Sequence, residues 1–301
     1  VNVFFLYLVL SLPLVGAYAL LGLGITVIYQ ASRVLNLAHG AMAMGAAYTT
    51  YQLHVWHLPL FLAVLAGILA GALFGLFVEF VFVRRLRASG PTTQTVGTVA
   101  ALTMSIAVAS RIWGTLPVAA PEVLPTGALH LPGGFVPYPL LGIFPISLVG
   151  GAILFGLFQF TDIGLAMRGA AQNRRGAALR GVDPDRTTAL AWLLGGAFAG
   201  LAGILMAGAT TLDPFSISLG VLPAFVAALI GGLESMPGVC LGAGIVGLVQ
   251  GMVPAVAHLP AVGSFFTGEG SPEFVLGILA LVVMAMRGQR LITGDVRAEA
   301  L

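Results

Sequence analysis

Hydrophobic runs of membrane-crossing length recur along this whole chain, and that recurrence constrains its fold more than any motif. Crossing about 30 Å of hydrocarbon takes about twenty mostly apolar residues, fewer where neighbouring helices cover a segment. Such windows fall at 3–29, 37–53, 58–83, 94–113, 139–160, 188–208, 238–257 and 272–286, with a shorter candidate half-helix at 220–232. Charged residues make up 8% of the 301 residues, against about a quarter in soluble domains, so the chain cannot cover itself with a water-facing surface. In lipid every backbone polar group needs an internal partner, which leaves helices or closed barrels. Runs of this length select helices. The expected fold class is an all-α integral membrane protein, a polytopic bundle of about eight to nine transmembrane helices forming one domain over 1–301.

Arginine placement orients the bundle. Eleven of the 13 basic residues form three groups: Arg84, Arg85 and Arg87; Arg168, Arg174, Arg175, Arg180 and Arg186; and Arg287, Arg290 and Arg297. The positive-inside rule assigns all three to the cytoplasm. Three spans precede the first group, so the N-terminus is expected outside and the C-terminus in the cytoplasm. Parity between the second and third groups balances only if 220–232 also crosses, giving nine passages. The first run is expected to be a span, because the positive n-region of a cleaved signal is missing before Arg33. Proline-rich residues 114–138 and residues 258–271 are the expected external loops.

Polar and glycine residues interrupt these runs at two places. The first is Asn36-Leu37-Ala38-His39-Gly40; the second is Gly231-Gly232-Leu233-Glu234-Ser235-Met236-Pro237-Gly238. Polar groups at that depth are tolerated where a helix breaks inside protein and lines a route. Paired interruptions in opposite halves of a chain are also how an internal inverted repeat shows itself, with its pathway at the repeat interface. The candidate path and gate residues are therefore Asn36, His39, Gly40, Gly231, Gly232, Glu234, Pro237 and Gly238. Asn36 and His39 have two readings: they satisfy the broken backbone and hold the gate, or they touch the solute. Glu234 is the one acid expected to lie deep; Glu79 is placed near the inner interface and Asp213 in a short external turn. Glycines four apart (Gly67, Gly71 and Gly75; Gly196 and Gly200; Gly238 and Gly242; Gly247 and Gly251) serve close packing within the subunit or a dimer seam.

The longest polar stretch, 161–187, carries helix punctuation. Asp162 can cap a helix start, Gly181 suits a helix end, and Asp183-Pro184 opens the next helix. A single short helix over about 163–180 is expected on the cytoplasmic face, thin on its Ala/Gly side and charged at Arg168, Arg174 and Arg175. Taken with the two interruptions, Arg168 through Gly203 resembles the permease subunits of branched-chain amino acid ABC importers, of the LivH type, over nearly the entire chain. The resemblance implies that the helix at 163–180 is a coupling helix seated on an ATPase, with Arg168, Ala171, Arg174, Arg175, Leu179, Gly181 and Asp183 as candidate contacts. It also implies a bacterial inner-membrane location and several partners: a second, LivM-type permease, two ATP-binding subunits and an external substrate-binding protein.

Other function classes fit poorly. The five histidines lack metal-ligand spacing, no catalytic set converges, and one cysteine, Cys240, excludes an internal disulfide. The chain contains no lysine, and a Walker-type ATP site needs one, so it is not a self-powered P-loop ATPase; no cofactor is expected here, and the resemblance implies that ATP and Mg are held by partner subunits. A net charge of +2 gives no nucleic-acid footprint. The competing reading is an ion-coupled secondary transporter or channel for small amphipathic solutes, which would hold its coupling ion on intramembrane acids.

Overall fold

The computed structural model of the chain describes residues 2–257 and 270–298, with side chains described for 3–257 and 270–285. The backbone is almost entirely helical: α1 (Asn2–Ser32), α2 (His39–Val55), α3 (Leu60–Val78), α4 (Pro91–Trp113), a hairpin of β1 (Ala128–Leu131) and β2 (Gly134–Pro137), α5 (Tyr138–Phe160), α6 (Asp162–Gln172), α7 (Arg174–Leu179), α8 (Pro184–Ala209), α9 (Pro214–Leu219), α10 (Val221–Gly231), α11 (Met236–Val256) and α12 (Ser271–Ala298). Seven helical segments, α9 and α10 counted as one, are long and apolar enough to cross a bilayer. Among the described residues, Ser271–Ala285 of α12 adds a shorter apolar stretch, and α2, at 17 residues, falls below crossing length, so seven full-length spans stand against the nine passages expected. The run expected as a half-helix at 220–232 is longer than that. Asp213 accepts from the N–H groups of Phe215 and Ser216 at 3.1 and 2.9 Å, starting a helix that bends at Gly220 and continues to Gly231.

Glycine sets the packing. A Cβ on Gly71 would stand 2.7 Å from the Gly196 carbonyl oxygen, and Gly75 lies equally hard against Trp192, so α3 and α8 touch backbone to backbone. Gly242 meets Ala227 of α10, while Gly247 and Gly251 meet Val15 and Ser11 of α1. All four glycine ridges are therefore used inside this subunit. Helix α1 is the centre of the bundle, packed by α5, α8, α10 and α11, with Leu20, Leu21, Leu23, Val27 and Ile28 sealed from the surface. Outward faces stay apolar, as at Phe61, Met104, Ile112 and Ile153, which suits lipid.

The two ends of the bundle differ in chemistry. Arg33, Arg84, Arg87, Arg168 and Arg174 make their ion pairs and hydrogen bonds at one end. At the other end, residues 114–138 hold the β1–β2 hairpin, and Val118 bridges to Leu212. The expected loop at 258–271 lies outside the described residues as far as 269, and the side chains of Arg287, Arg290 and Arg297 lie outside them too.

Candidate functional site

The first interruption is a true helix break. Helix α1 stops at Ser32, Arg33 adopts a left-handed φ of 60°, and the chain runs unwound to Ala38 before His39 opens α2. A buried unwound stretch needs backbone partners, and Thr98 of α4 supplies them. Its hydroxyl accepts the Leu37 N–H at 3.0 Å and lies 3.3 Å from the Leu35 carbonyl. Thr98 is fully buried, and as one of five threonines in α4 it carries no spacing signal that would single it out in the sequence. Asn36 and His39 are 1% and 0% exposed. The Asn36 amide nitrogen reaches only the Met42 sulfur at 3.6 Å, and Asn36 Oδ1 and both His39 ring nitrogens have no hydrogen-bond partner. The Leu21 carbonyl bears on the His39 ring but falls short of bonding geometry. The ring packs on Gly24, which also lies against the Gly195 carbonyl, and Gly40 lies directly under the Ser218 carbonyl.

The second interruption is a tight interhelical turn. Gly232 has φ 84°, the Gly231 and Gly238 backbones touch, and Ser235 caps α11 by accepting the Gly238 N–H at 3.1 Å. Glu234 is not deep as expected: its side chain is 63% exposed and pairs with Arg33, while its carbonyl accepts from Gln30 at 2.6 Å. The turn projects Glu234 past the end of α10, toward the arginine-rich end. The two breaks therefore meet through Arg33 and Glu234.

The fully buried acid is Glu79. A π-helical turn over Glu79–Val83 closes with the Arg84 N–H on the Glu79 carbonyl at 2.7 Å. The wider turn directs the Glu79 carboxylate inward, where it accepts from Arg84 at 3.0 and 3.1 Å and from Arg87 at 3.4 Å. That bond also holds the Arg84 guanidinium above its ordinary pKa range.

A groove runs beside the second break. Helices α1, α5 and α11 enclose about 590 Å³, lined by Val15, Leu23, Phe144, Leu148, Cys240 and other apolar residues. Phe155, Met236 and Pro237 are shared with a second hollow of about 360 Å³, lined by Gln30, Gln159, Arg168, Glu234 and Ser235. The result is an apolar slot leading to a polar mouth that carries one cation and one anion. Of the sequence candidates, Glu234, Pro237 and Arg168 line this route; Asn36, His39, Gly40, Gly231, Gly232 and Gly238 line neither hollow.

The polar segment after α5 is not one helix. Thr161, rather than Asp162, caps α6 by accepting the Gly164 N–H at 3.2 Å. Asn173 then leaves helical geometry and caps α7 through the Gly176 N–H at 2.8 Å. An Asn that can bond its own backbone breaks the run. Beyond it, Gly181 has φ 83°, and Asp183 accepts from the N–H groups of Asp185 and Arg186, as the punctuation requires. Helices α6 and α7 flank a concavity of about 530 Å³ reaching Gly169, Gly176 and Arg180. Leu179 stands 89% exposed beside it and Arg175 is exposed, whereas Ala171 is half-buried and Arg174 turns back to Asp185 at 2.5 Å. Arg168 bonds Gln159 at 3.0 Å.

The chain is a polytopic helical bundle whose second break lies at the mouth of a groove, with the first break joined to it by the Arg33–Glu234 pair. Residues 7–286 match the family described as branched-chain amino acid transport system / permease component, and the chain belongs to that family. It is 25% identical over 288 residues to the high-affinity branched-chain amino acid transport system permease protein LivH of Salmonella typhimurium, covering 90% of each chain. It is 26% identical over 298 residues to the corresponding permease protein BraD of Pseudomonas aeruginosa, covering 92% of each. A probable branched-chain amino acid transport permease protein LivH of Methanocaldococcus jannaschii is 25% identical over 277 residues, covering 89% of this chain and 87% of its own. No solved structure matches the chain.

Proposed function

We propose that this permease is the membrane subunit of an ATP-driven importer that passes branched-chain or other hydrophobic amino acids along the α1/α5/α11 groove. The observation that carries the reading is the chemical gradient of that groove: an apolar slot for an aliphatic side chain, then a mouth bearing Arg168 and Glu234 for a carboxylate and an ammonium. A second permease of the same kind completes the path. The arginine-rich end faces the cytoplasm of a bacterial cell, which puts the N-terminus outside and the C-terminus inside. An external binding protein delivers the solute to the end that carries the β1–β2 hairpin. One of two ATP-binding subunits seats on the α6–α7 face, where exposed Leu179 and the neighbouring concavity accept it, and the other seats on the second permease. ATP and Mg stay on those partners.

The ion-coupled alternative asks for an intramembrane acid free to load a proton or sodium ion. Two of its three candidates are engaged otherwise, since Glu79 holds two arginines and Asp213 caps α9, and the third, Glu234, is exposed at the groove mouth and not within the bundle. The test is leucine uptake into proteoliposomes. The purified chain alone should give none under a proton or sodium gradient, and the complete importer should give uptake that requires ATP. Gradient-driven uptake by the chain alone would overturn the proposal.

A further inference from the structure

Four charged side chains form a continuous line from α7 into the bundle. Arg174 opens α7 and donates to Asp185 Oδ1 at 2.5 Å. The same oxygen accepts from Arg87 at 2.7 Å, and the other arm of Arg87 reaches Glu79 at 3.4 Å. Among the described hydrogen bonds, Arg174 to Asp185 is the one that ties a side chain of α7 to the membrane helices.

We infer that this line is the strut through which movement of the α6–α7 face reaches α3 and α8, making Asp185 and Arg174 positioning residues for coupling instead of contacts with an ATPase. The inference rests on the reading that α6–α7 seats on an ATPase. Three features support it. Asp185 sits in the first turn of α8, whose glycines touch the backbone of α3, so the two helices cannot slide independently by small side-chain adjustments. Glu79, sealed in the π-helical turn, keeps Arg84 when Arg87 leaves, so breaking the Arg87 contact does not strand a buried charge. Arg87 is held more closely by Asp185 than by Glu79, and it is shared between an acid on α8 and one at the end of α3. Arg87 bonds both acids at once and so joins the start of α8 directly to the end of α3. Stability does not explain the line, because its outer members are between 32% and 45% exposed and pairs of that kind contribute about 1 kcal/mol or less.

The test uses the complete importer in proteoliposomes and reads ATP hydrolysed per leucine imported, a ratio that a purely structural lesion does not move. Asp185→Asn and Arg174→Gln should each raise the ratio about fivefold or more. The double variant should be no worse than the more affected single, because both remove one linkage. Asp185→Glu should return the ratio to within about twofold of the parent, at the low end of measurable coupling. Arg175→Glu and Leu179→Asp report on the docking face itself. If these two uncouple the importer while Asp185→Asn and Arg174→Gln do not, the strut is wrong and the docking reading stands. Multiplying effects in the double variant would also overturn the strut. If Arg175→Glu and Leu179→Asp leave the ratio unchanged, the docking reading fails and takes the strut with it.

Discussion

At the first break, Asn36 and His39 are closed inside the bundle, with three polar atoms unbonded and the backbone held by a threonine from another helix. At the second, Glu234 stands in the open, its charge paired and its turn capped by its own Ser235. Both read as glycine-containing interruptions of apolar runs, yet one is closed in the interior as a plug and the other is an exposed turn. The plug depends on its neighbours and so should be intolerant of change. The exposed turn carries its own Ser235 cap and is tied to α1 by the exposed Arg33 pair and the Gln30 bond, and we propose that it serves as a hinge.

The strongest way to break this contrast is at Gly40, which has the Ser218 carbonyl directly over it. Gly40→Val should destabilise by about 3 kcal/mol, because neither backbone can yield cheaply. Thermal unfolding in detergent, or loss of folded yield, would register it. A variant with the parent's midpoint would mean that α2 and α9 are not locked together.

Next in size is Thr98. Thr98→Val keeps the shape but leaves the Leu37 N–H buried and unpaired, which should cost about 2 kcal/mol. Thr98→Ser should recover most of the lost midpoint. Equal loss in both would show that the methyl group, and not the hydroxyl, matters there.

These two residues also mark what sequence reading can reach. Run lengths, arginine ends, both breaks and the Gly181/Asp183/Pro184 punctuation were legible, because each is a local property of backbone chemistry or hydropathy. The surroundings of acids were not. Glu79, five residues from Arg84, reads as interfacial and does pair with Arg84 and Arg87 at the arginine-rich end, but nothing in hydropathy shows that protein seals it from solvent. Glu234 follows an apolar run and reads as deep, but the Gly232 turn carries it out. Asn173 splitting α6 from α7, and Thr98 serving a strand of chain 61 residues away, are likewise decided by what packs alongside.

The smallest expected effect lies at the hinge. Glu234→Gln removes the ion pair with Arg33, but the Gln30 bond to the backbone carbonyl and the Ser235 cap survive. With both charged groups substantially exposed, the stability change should be below about 1 kcal/mol and shrink further in high salt. A midpoint shift as large as that of Thr98→Val would erase the distinction between plug and hinge. The same variant should still alter leucine uptake, because the anion at the groove mouth is gone while the fold is intact. Separation of those two readouts at Glu234, and their coincidence at Thr98, is the signature expected if one break carries packing and the other carries motion.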